Sequence, residues 1–351
     1  MQEHLDMLEE IYKAEEQIAS GEGIAHEDAK ALLLRRYGSP DFLEVDEIEK
    51  PAPAGDEVLV RVHAVSINDW DWALILGTPF IPNRLMTGLL RPKIVVGSDI
   101  AGRVETVGSK VTRFKPGDEV FGDLSGCGFG GFAEFVCAPE SALMFKPPKM
   151  SFEQAAAIPQ AGMLALQGIA AGQTHKPGQT VLINGAGGGV GSIAIQLLKL
   201  HQVEVTGVDA AAKLEAMKLW GYDHVIDYAA QDFTRSGKRY DLILDVKTDR
   251  PLADYEHALN PHGVYATVGG QLPRLLQVAC SRFRFWRTSE KTLSVVALKA
   301  NRDLHYFNEL FGSDKFKPVI DSVYAFSEAD VRKAFHHFGT SAHKGKIVVS
   351  T

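Results

Sequence analysis

The chain has 351 residues, more than one ordinary core organises, so two domains that each bury their own interior are expected. Apolar residues at 45% and charged residues at 23% exclude a disordered or fibrous chain. Lys and Arg number 37 against 44 Asp and Glu, and the formal charge of −7 offers no broad basic field to a phosphate backbone, which excludes nucleic acid as a partner.

In chain order, residues 1–29 stand apart. Leu5, Leu8, Ile11, Tyr12 and Ile18 recur at near-helical spacing among Glu and Lys until Gly21 and Gly23 break the pattern. This predicts an amphipathic helix and a linker, a loosely packed N-terminal extension. From Ala31, short apolar runs at residues 57–65, 94–96, 102–107 and 132–137 sit between Gly, Pro and Asp turn signals. Strands so spaced suggest a small β-barrel over residues 30–152. Past Ser151, strands and helices alternate. Strands at Thr180–Asn184 and 203–208 flank a helix over 190–200, followed by a helix over 212–220 and strands at 224–226, 241–246 and 264–268. That alternation implies a doubly wound parallel sheet over residues 153–298. Residues 299–351 carry helices near 303–310 and 328–338 and a closing strand at Lys346–Ser350.

The strongest chemical signal is Asn184-Gly185-Ala186-Gly187-Gly188-Gly189-Val190-Gly191, directly after a predicted strand and opening a predicted helix. In the A-x-G-x-x-G register, Ala186 allows the tight turn, Gly188 lets the backbone approach a pyrophosphate, and Gly191 lets the helix pack closely on the strand. Gly187, Gly189 and Val190 complete the loop, whose helix N-terminus offers N–H groups and partial positive charge to the phosphates. A glycine turn without a ligand is the plain alternative, and the strand-to-helix context weighs against it. No Gly-Lys-Ser/Thr follows, so a mononucleotide P-loop is excluded.

Cofactor choice turns on the end of the next strand. Asp209 there would accept hydrogen bonds from the adenosine ribose and by itself favours NAD. Lys213 and Lys346 offer cations to a 2′-phosphate and Tyr228 a phenol, on condition that Asp209 turns away. Gly269, just past the strand over 264–268, joins the cofactor-binding set. The reading leans slightly to NADP(H) over NAD(H) and leaves both open.

Further motifs follow one another along the chain: Arg36-Tyr37-Gly38-Ser39-Pro40, Ser66-Ile67-Asn68, Gly97-Ser98-Asp99-Ile100-Ala101-Gly102, Lys115-Pro116-Gly117-Asp118-Glu119-Val120, Gly130-Gly131-Phe132-Ala133-Glu134 and Val225-Ile226-Asp227-Tyr228. With the glycine loop they give a specific match from about Ala31 to Val349. In them the chain resembles the zinc-free quinone oxidoreductase, or zeta-crystallin-like, branch of the medium-chain dehydrogenase/reductase superfamily, near the subgroup of the chloroplast-envelope quinone oxidoreductase homologue and the reticulon-interacting mitochondrial protein. The resemblance implies an α/β fold with a GroES-like β-barrel domain, a Rossmann domain with a parallel sheet after it, and a C-terminal return to the barrel. It also implies a cleft between the two for nicotinamide and substrate, and homodimerisation through an edge strand near 292–298.

Zinc alcohol dehydrogenases of the same superfamily hold a catalytic metal with a Cys, a His and a later Cys or Asp. Here Asn68 and Ser98 stand at the first two positions, and residues 159–162 supply neither thiolate nor carboxylate. An amide and a hydroxyl are poor substitutes for the ligands that catalytic zinc prefers. The loop over 122–130, where those relatives carry a four-Cys lobe, contains only Cys127, so neither zinc is expected. Trp70 stands where a proton-relay hydroxyl would be. Without a Lewis acid an unactivated alcohol gives up hydride reluctantly, whereas quinones and conjugated enones delocalise the charge left by hydride attack. The expected activity is therefore NAD(P)H-dependent reduction of a quinone or enone, with Asn68 orienting the substrate oxygen and Asp71 as a polar floor beneath it. Asp71 and Asp99 read equally well as hydrogen-bonded structural groups. No proton donor is evident, and water is left for that step. The alternatives are a nucleotide-binding regulatory or interaction protein with little turnover, and an alcohol dehydrogenase of the same superfamily.

Trp70, Trp72 and Phe80 read as pocket wall or as packing, with packing favoured. His336 and His337 are adjacent on a helix and cannot both face one metal. The basic aromatic stretch over 282–287 reads as a lid, an interface segment or a solvated loop. Cys127, Cys137 and Cys280 are too scattered for a disulfide framework. No apolar run approaches the ~20 residues of a membrane span, and the Glu-rich start does not resemble a secretion signal, so a cytoplasmic location is expected.

Overall fold

The computed structural model describes residues 28–88, 92, 94–172, 176–270, 272–285 and 290–351. It opens on a hairpin of β1 (Asp28–Leu34) and β2 (Leu43–Glu49), paired from Asp28 with Glu49 to Leu34 with Leu43. The boundary expected at residue 29 therefore falls inside a ladder, and Ala29 is buried with Leu59 and Phe135. The amphipathic helix expected before it lies outside the described residues.

Next come β3 (Glu57–Ser66), α1 (Asp69–Leu76), α2 (Phe80–Thr87), β4 (Asp99–Val107), β5 (Glu119–Asp123), β6 (Phe135–Pro139) and β7 (Met144–Phe145). Then α3 (Phe152–Ala156) and α4 (Pro159–Ala170) lead into an alternating run. That run is β8 (Thr180–Asn184), α5 (Gly189–Lys199), β9 (Glu204–Asp209), α6 (Leu214–Leu219), β10 (His224–Asp227), β11 (Tyr240–Asp245), α7 (Leu252–His257), β12 (Leu259–Thr267), α8 (Leu272–Phe285) and β13 (Thr292–Val295). The chain continues through α9 (Leu304–Gly312), β14 (Ile320–Ala325), α10 (Glu328–Gly339) and β15 (Lys346–Ser350).

Two larger sheets result. The first runs β14-β15-β3-β4-β5-β7, with β6 also on β3. β3 is paired along its edges by β4, β6 and β15, and its side chains pack into separate clusters, so Val58, Leu59, Val60, Val62, Ala64 and Val65 are all buried. The second is wholly parallel in the order β10-β9-β8-β11-β12-β13, the doubly wound arrangement predicted from the alternation. Strand direction of travel reverses between β8 and β11, and ligands of such sheets bind at the carboxyl ends of the strands there. Ile193, Ala194, Leu197 and Leu198 of α5 share one core with Val181 and Ile183, while Leu182, Ile243 and Tyr265 belong to the core on the other side. Successive residues of β8 thus point to opposite faces, as a buried strand requires.

The run at 94–96 is not a strand. Val95 makes only an isolated bridge to Leu33. Residues 132–134 precede β6 as irregular chain pinned by Phe132 N–H to Val96 O and Leu32 N–H to Phe132 O, so β6 starts later than its apolar pattern suggests. Along the basic aromatic stretch, α8 continues to Phe285, while residues 286–289 and the side chains of 281–285 lie outside the described residues.

The last segment returns to the first sheet, with β15 parallel to β14 and antiparallel to β3. Ser327 caps α10 by accepting from Asp330 N–H, and Val331, Ala334 and Phe335 form its buried stripe. Phe335 meets the Phe132 ring at 5.3 Å and shares a core with Ile347 and Val349. Phe335→Ala should lower the unfolding free energy by about 3–5 kcal/mol through the cavity it leaves. Urea denaturation monitored by circular dichroism measures it; a loss under about 1 kcal/mol would show that α10 does not clamp β15.

Candidate active site

After β8 the chain turns at Gly185, whose φ of +87° suits glycine, and Gly185 and Ala186 N–H both donate to Val208 O. Gly188 is the extended N-cap of α5. A Cβ on Gly191 would lie 2.2 Å from Ala186 O, so only glycine lets the helix approach the turn this closely. A Cβ on Gly188 would meet nothing nearer than Gly185 O at 3.7 Å, leaving its backbone open for a ligand to approach. The first-turn N–H groups of Gly189, Val190 and Gly191 have no acceptor within their own helix.

From this loop a cleft extends to Asn68. Gly188, Gly189, Val190, Asp209 and Lys213 line it on the loop side, and Ile67, Asn68 and Gln160 on the other. The approach to β15 closes it: Gly345 N–H donates to Gly187 O, and Lys346, Ser341 and His343 add to the lining.

At the Asn68 end Asn68, Asp71, Ser98, Asp99 and Lys346 are buried and hydrogen-bonded. Asn68 Nδ2–H donates to Ser98 Oγ at 3.0 Å, and Asn68 Oδ1 accepts from Lys346 Nζ. The amide is therefore held by both of its ends. Asp71 sits at the third position of α1 and does not reach the cleft. Its Oδ2 accepts from Asn68 N–H at 2.9 Å and its Oδ1 from Gly97 N–H at 3.0 Å, joining α1 to the segment before β4. Complete burial pushes its carboxyl up to about 7, against the pull of those N–H groups and of Lys346. Asp99, equally buried, accepts from Gln160 N–H and lies 3.7 Å from Lys346 Nζ. Burial raises the Asp99 carboxyl and lowers the Lys346 amine, each opposed by the other's charge.

At the other end Asp209 is turned inward. Its Oδ2 accepts from Gly187 N–H and its Oδ1 from Ala210 N–H, both at 2.8 Å, and Lys213 Nζ lies 3.4 Å from Oδ1. The Lys213 stem lies across the loop, where a Cβ on Gly187 would meet its Cδ at 2.5 Å. Burial lowers the Lys213 amine, and the Asp209 charge opposes the shift. His343, stacked on Phe338, is pushed down to about 4, first by burial and then by the charges of Lys213 and Lys247. Its Nδ1 is buried with no hydrogen-bond partner among the described residues.

The structure thus brings together Asn68, Gly188, Gly189, Val190, Asp209, Lys213 and Lys346 on one cleft. Ala186, Gly187 and Gly191 shape it from behind. The Lys346 ammonium lies at the Asn68 end, not beside Asp209 where a 2′-phosphate was expected to meet it. Tyr228 is about half exposed and outside the lining, joined to Asp209 only through its N–H. Gly269 is also outside it, its carbonyl taken by Thr248 and Thr267 hydroxyls. Trp72 packs on Phe338, while Trp70 and Phe80 are exposed and outside the lining. His336 and His337 diverge as expected, to Asp41 and to Tyr324. Lys247, His343 and Gln160 line the cleft without having been singled out from sequence. Only the position of Lys247 just past a strand beside the reversal point carried a signal.

Comparison with known proteins agrees with this architecture. Residues 54–148 match the model of the alcohol dehydrogenase GroES-like domain, and residues 220–349 match that of a zinc-binding dehydrogenase. The chloroplast envelope quinone oxidoreductase homolog of Arabidopsis thaliana is 31% identical over 332 residues, covering 91% of this chain and 97% of that protein. The chain belongs to the medium-chain dehydrogenase/reductase superfamily. It is an oxidoreductase. Within the superfamily it is also similar to the NADPH-dependent alkenal/one oxidoreductase of Arabidopsis thaliana, 31% identical over 92% of this chain and 79% of the other. The solved quinone oxidoreductase from Coxiella burnetii superposes with a TM-score of 0.81 at 26% identity, covering 93% of this chain and all of that one.

The donor chemistry of this superfamily member does not suit zinc. The side chains gathered at the cleft end are two amides, a hydroxyl, an ammonium and the carboxyls of Asp69 and Asp99, with no thiolate or imidazole beside Asn68, and among the described residues no group of three or more His, Cys, Asp or Glu is placed to hold a metal ion. The glycine loop does suit a dinucleotide, since Gly188 leaves open the space that a side chain would fill.

Asp71→Ala should cost about 2–4 kcal/mol, because two buried N–H groups lose their acceptor. Denaturant unfolding reads this, and a change below about 0.5 kcal/mol would sink the assignment of Asp71 as the brace of α1. His343 gives a pH signature. Its folded value lies below its ordinary one, so the stability it contributes is present above about pH 6.5 and is lost as the pH falls toward about 4, where only the unfolded chain takes up the proton. Unfolding midpoints measured across that window should fall less steeply in His343→Gln than in the unmodified protein.

Proposed function

We propose that this oxidoreductase reduces electron-poor quinones or conjugated enones at the expense of NADP(H). One observation carries the reading: a single cleft joins a dinucleotide-type loop to a buried amide and ammonium that suit a developing oxyanion and not a metal ion. The names of the relatives support the substrate class. Bound nicotinamide supplies hydride. Ala186, Gly187, Gly188, Gly189, Val190 and Gly191 hold the diphosphate at the N-terminus of α5. Asn68 Nδ2 donates to Ser98 and also acts on the Asp99 carboxyl, so the amide that would orient a substrate oxygen is held in place, while Asp71 positions it from behind.

NADP(H) is preferred over NAD(H) in this reading, because Asp209 is already satisfied by Gly187 N–H, Ala210 N–H and Lys213. An Asp209 so engaged presents less charge to a 2′-phosphate, which Lys213, Lys247 and Tyr228 would receive. Gly269 stays in the cofactor set as a turn residue beside Thr248. Residues 30–152 and 299–351 form the catalytic part of this scheme, and 153–298 the nucleotide-binding part. The edge strand β13 offers unpaired backbone groups for a homodimer. Among the described residues no helix is long and apolar enough to cross a membrane, and the free Cys127, Cys137 and Cys280 fit a reducing setting such as the cytoplasm.

The test is oxidation of NADPH and of NADH with a panel of quinones and enones. NADPH turnover with at least one acceptor is expected, and Lys213→Ala should lower kcat/KM for NADPH by about tenfold or more while changing that for NADH little. Turnover with no acceptor in the panel would overturn the activity, and a preference of the unmodified protein for NADH would overturn the cofactor assignment.

A further inference from the structure

The proposed reduction takes only a positive charge from Lys346 and names no source for the proton that the reduced acceptor gains. The Lys346 side chain is 5% exposed, and its stem passes the start of α5, where a Cβ on Gly189 would meet Lys346 Cδ at 2.6 Å. Its head reaches the far end of the cleft. Of its three N–H groups, one donates to Ile67 O at 3.1 Å and one to Asn68 Oδ1. The third has no acceptor within hydrogen-bond distance, the nearest carboxylate oxygen paired with it being Asp99 Oδ2 at 3.7 Å. Asp99 of β4, Asp71 and Asp69 of α1, and Asp123 of β5 are the charged groups that act on it. A buried lysine held on two acceptors, with one donor left and a substrate cleft beside it, is an arrangement for delivering a proton.

We propose that Lys346 is the general acid of this site, donating a hydrogen bond and then a proton to the carbonyl oxygen of the bound quinone or enone. The inference rests on the function proposed above. Hydride, with its electron pair, bonds to the electron-poor carbon of the conjugated system. The displaced π pair moves to the carbonyl oxygen, an O–H bond forms there as an Nζ–H bond of Lys346 breaks, and the neutral amine regains its proton from water. The acceptor is reduced by two electrons and the nicotinamide is oxidised by two. Asn68 has a positioning part in the same step: Oδ1 holds the ammonium, and Nδ2, tied to Ser98 and to the Asp99 carboxyl, keeps the amide from turning. An ammonium at this place also accounts for the poor fit to zinc, since a divalent cation beside Asn68 would meet a like charge already bound there.

The deciding experiment compares two acceptors in the full chain and in Lys346→Arg and Lys346→Met. A simple quinone needs both hydride and a proton; an N-methylacridinium cation takes hydride and becomes neutral without one. Arginine keeps the charge but does not give up a proton near neutral pH. Both variants should bind NADPH within about threefold of the unmodified protein, measured by fluorescence titration, and lose far less of the acridinium rate than of the quinone rate. Quinone reduction should fall by about 10²–10⁴-fold. In the unmodified protein kcat/KM for the quinone should be highest where the amine is protonated and decline as the pH rises through its titration, and the arginine variant should lose that limb. Near-normal quinone turnover in Lys346→Arg would overturn the proposal and leave Lys346 as a structural cation. Equal losses with both acceptors would overturn it in favour of coenzyme placement. If the methionine variant does not fold, the arginine variant and the pH profile decide. An unmodified protein that reduces no quinone or enone would overturn the proposed function, and this inference with it.

Discussion

The site depends on the burial of one positive charge at the place where the chain's last strand enters the first sheet. Lys346 is the first residue of β15, a strand fixed on one side by β14 and on the other by β3. Just before it, Gly345 N–H is bonded to Gly187 O of the phosphate loop. The backbone that carries the ammonium is therefore fixed to both the loop and the sheet. Removing such a charge from water is tolerable only where partners surround it, and Asn68 Oδ1, Ile67 O and the Asp99 carboxylate do so. Those contacts in turn fix the rotamer of Asn68, and Asp71 fixes its backbone. Cofactor loop, amide and ammonium thus share one rigid frame.

The opposite end solves a different electrostatic problem. The charge of Asp209 at that strand end is used within the protein. Gly187 N–H ties it to the loop, and Lys213 offsets it. The pair is almost wholly buried, so the offset acts with little screening by salt. The carboxylate is thereby part of the scaffold of the glycine loop.

Much of this was readable from residue order. The parallel sheet followed from alternating periodicities, and its β8–loop–α5 unit from TVLIN running into the glycine loop, because local pattern and turn chemistry agree there. The sequence read less well wherever a long-range contact decides the structure. Residues 94–96 are as apolar as a strand, yet Val95 finds only Leu33 to pair with. Asp209 and Lys346 were both recognised as belonging to the site, but their directions depend on partners 22 and 278 residues away, Gly187 and Asn68. No periodicity encodes such a pairing. His343 and Lys247 were missed for the same reason, since each reaches the cleft only when distant loops meet.

The central place of β15 also constrains how the molecule is made. In synthesis order β3 emerges near the beginning and β15 after every other described strand, yet the two are neighbours in one sheet. Until residues 346–350 have left the ribosome, β3 has an open flank next to Ser66, and the apolar stripe of α10 has no β15 to cover. Such non-local closure is slow, and it leaves strand edges exposed in the interim. Assembly of the first sheet therefore waits until residues 346–350 have been made, while the parallel sheet, whose strands all lie within 180–295, is free to form earlier.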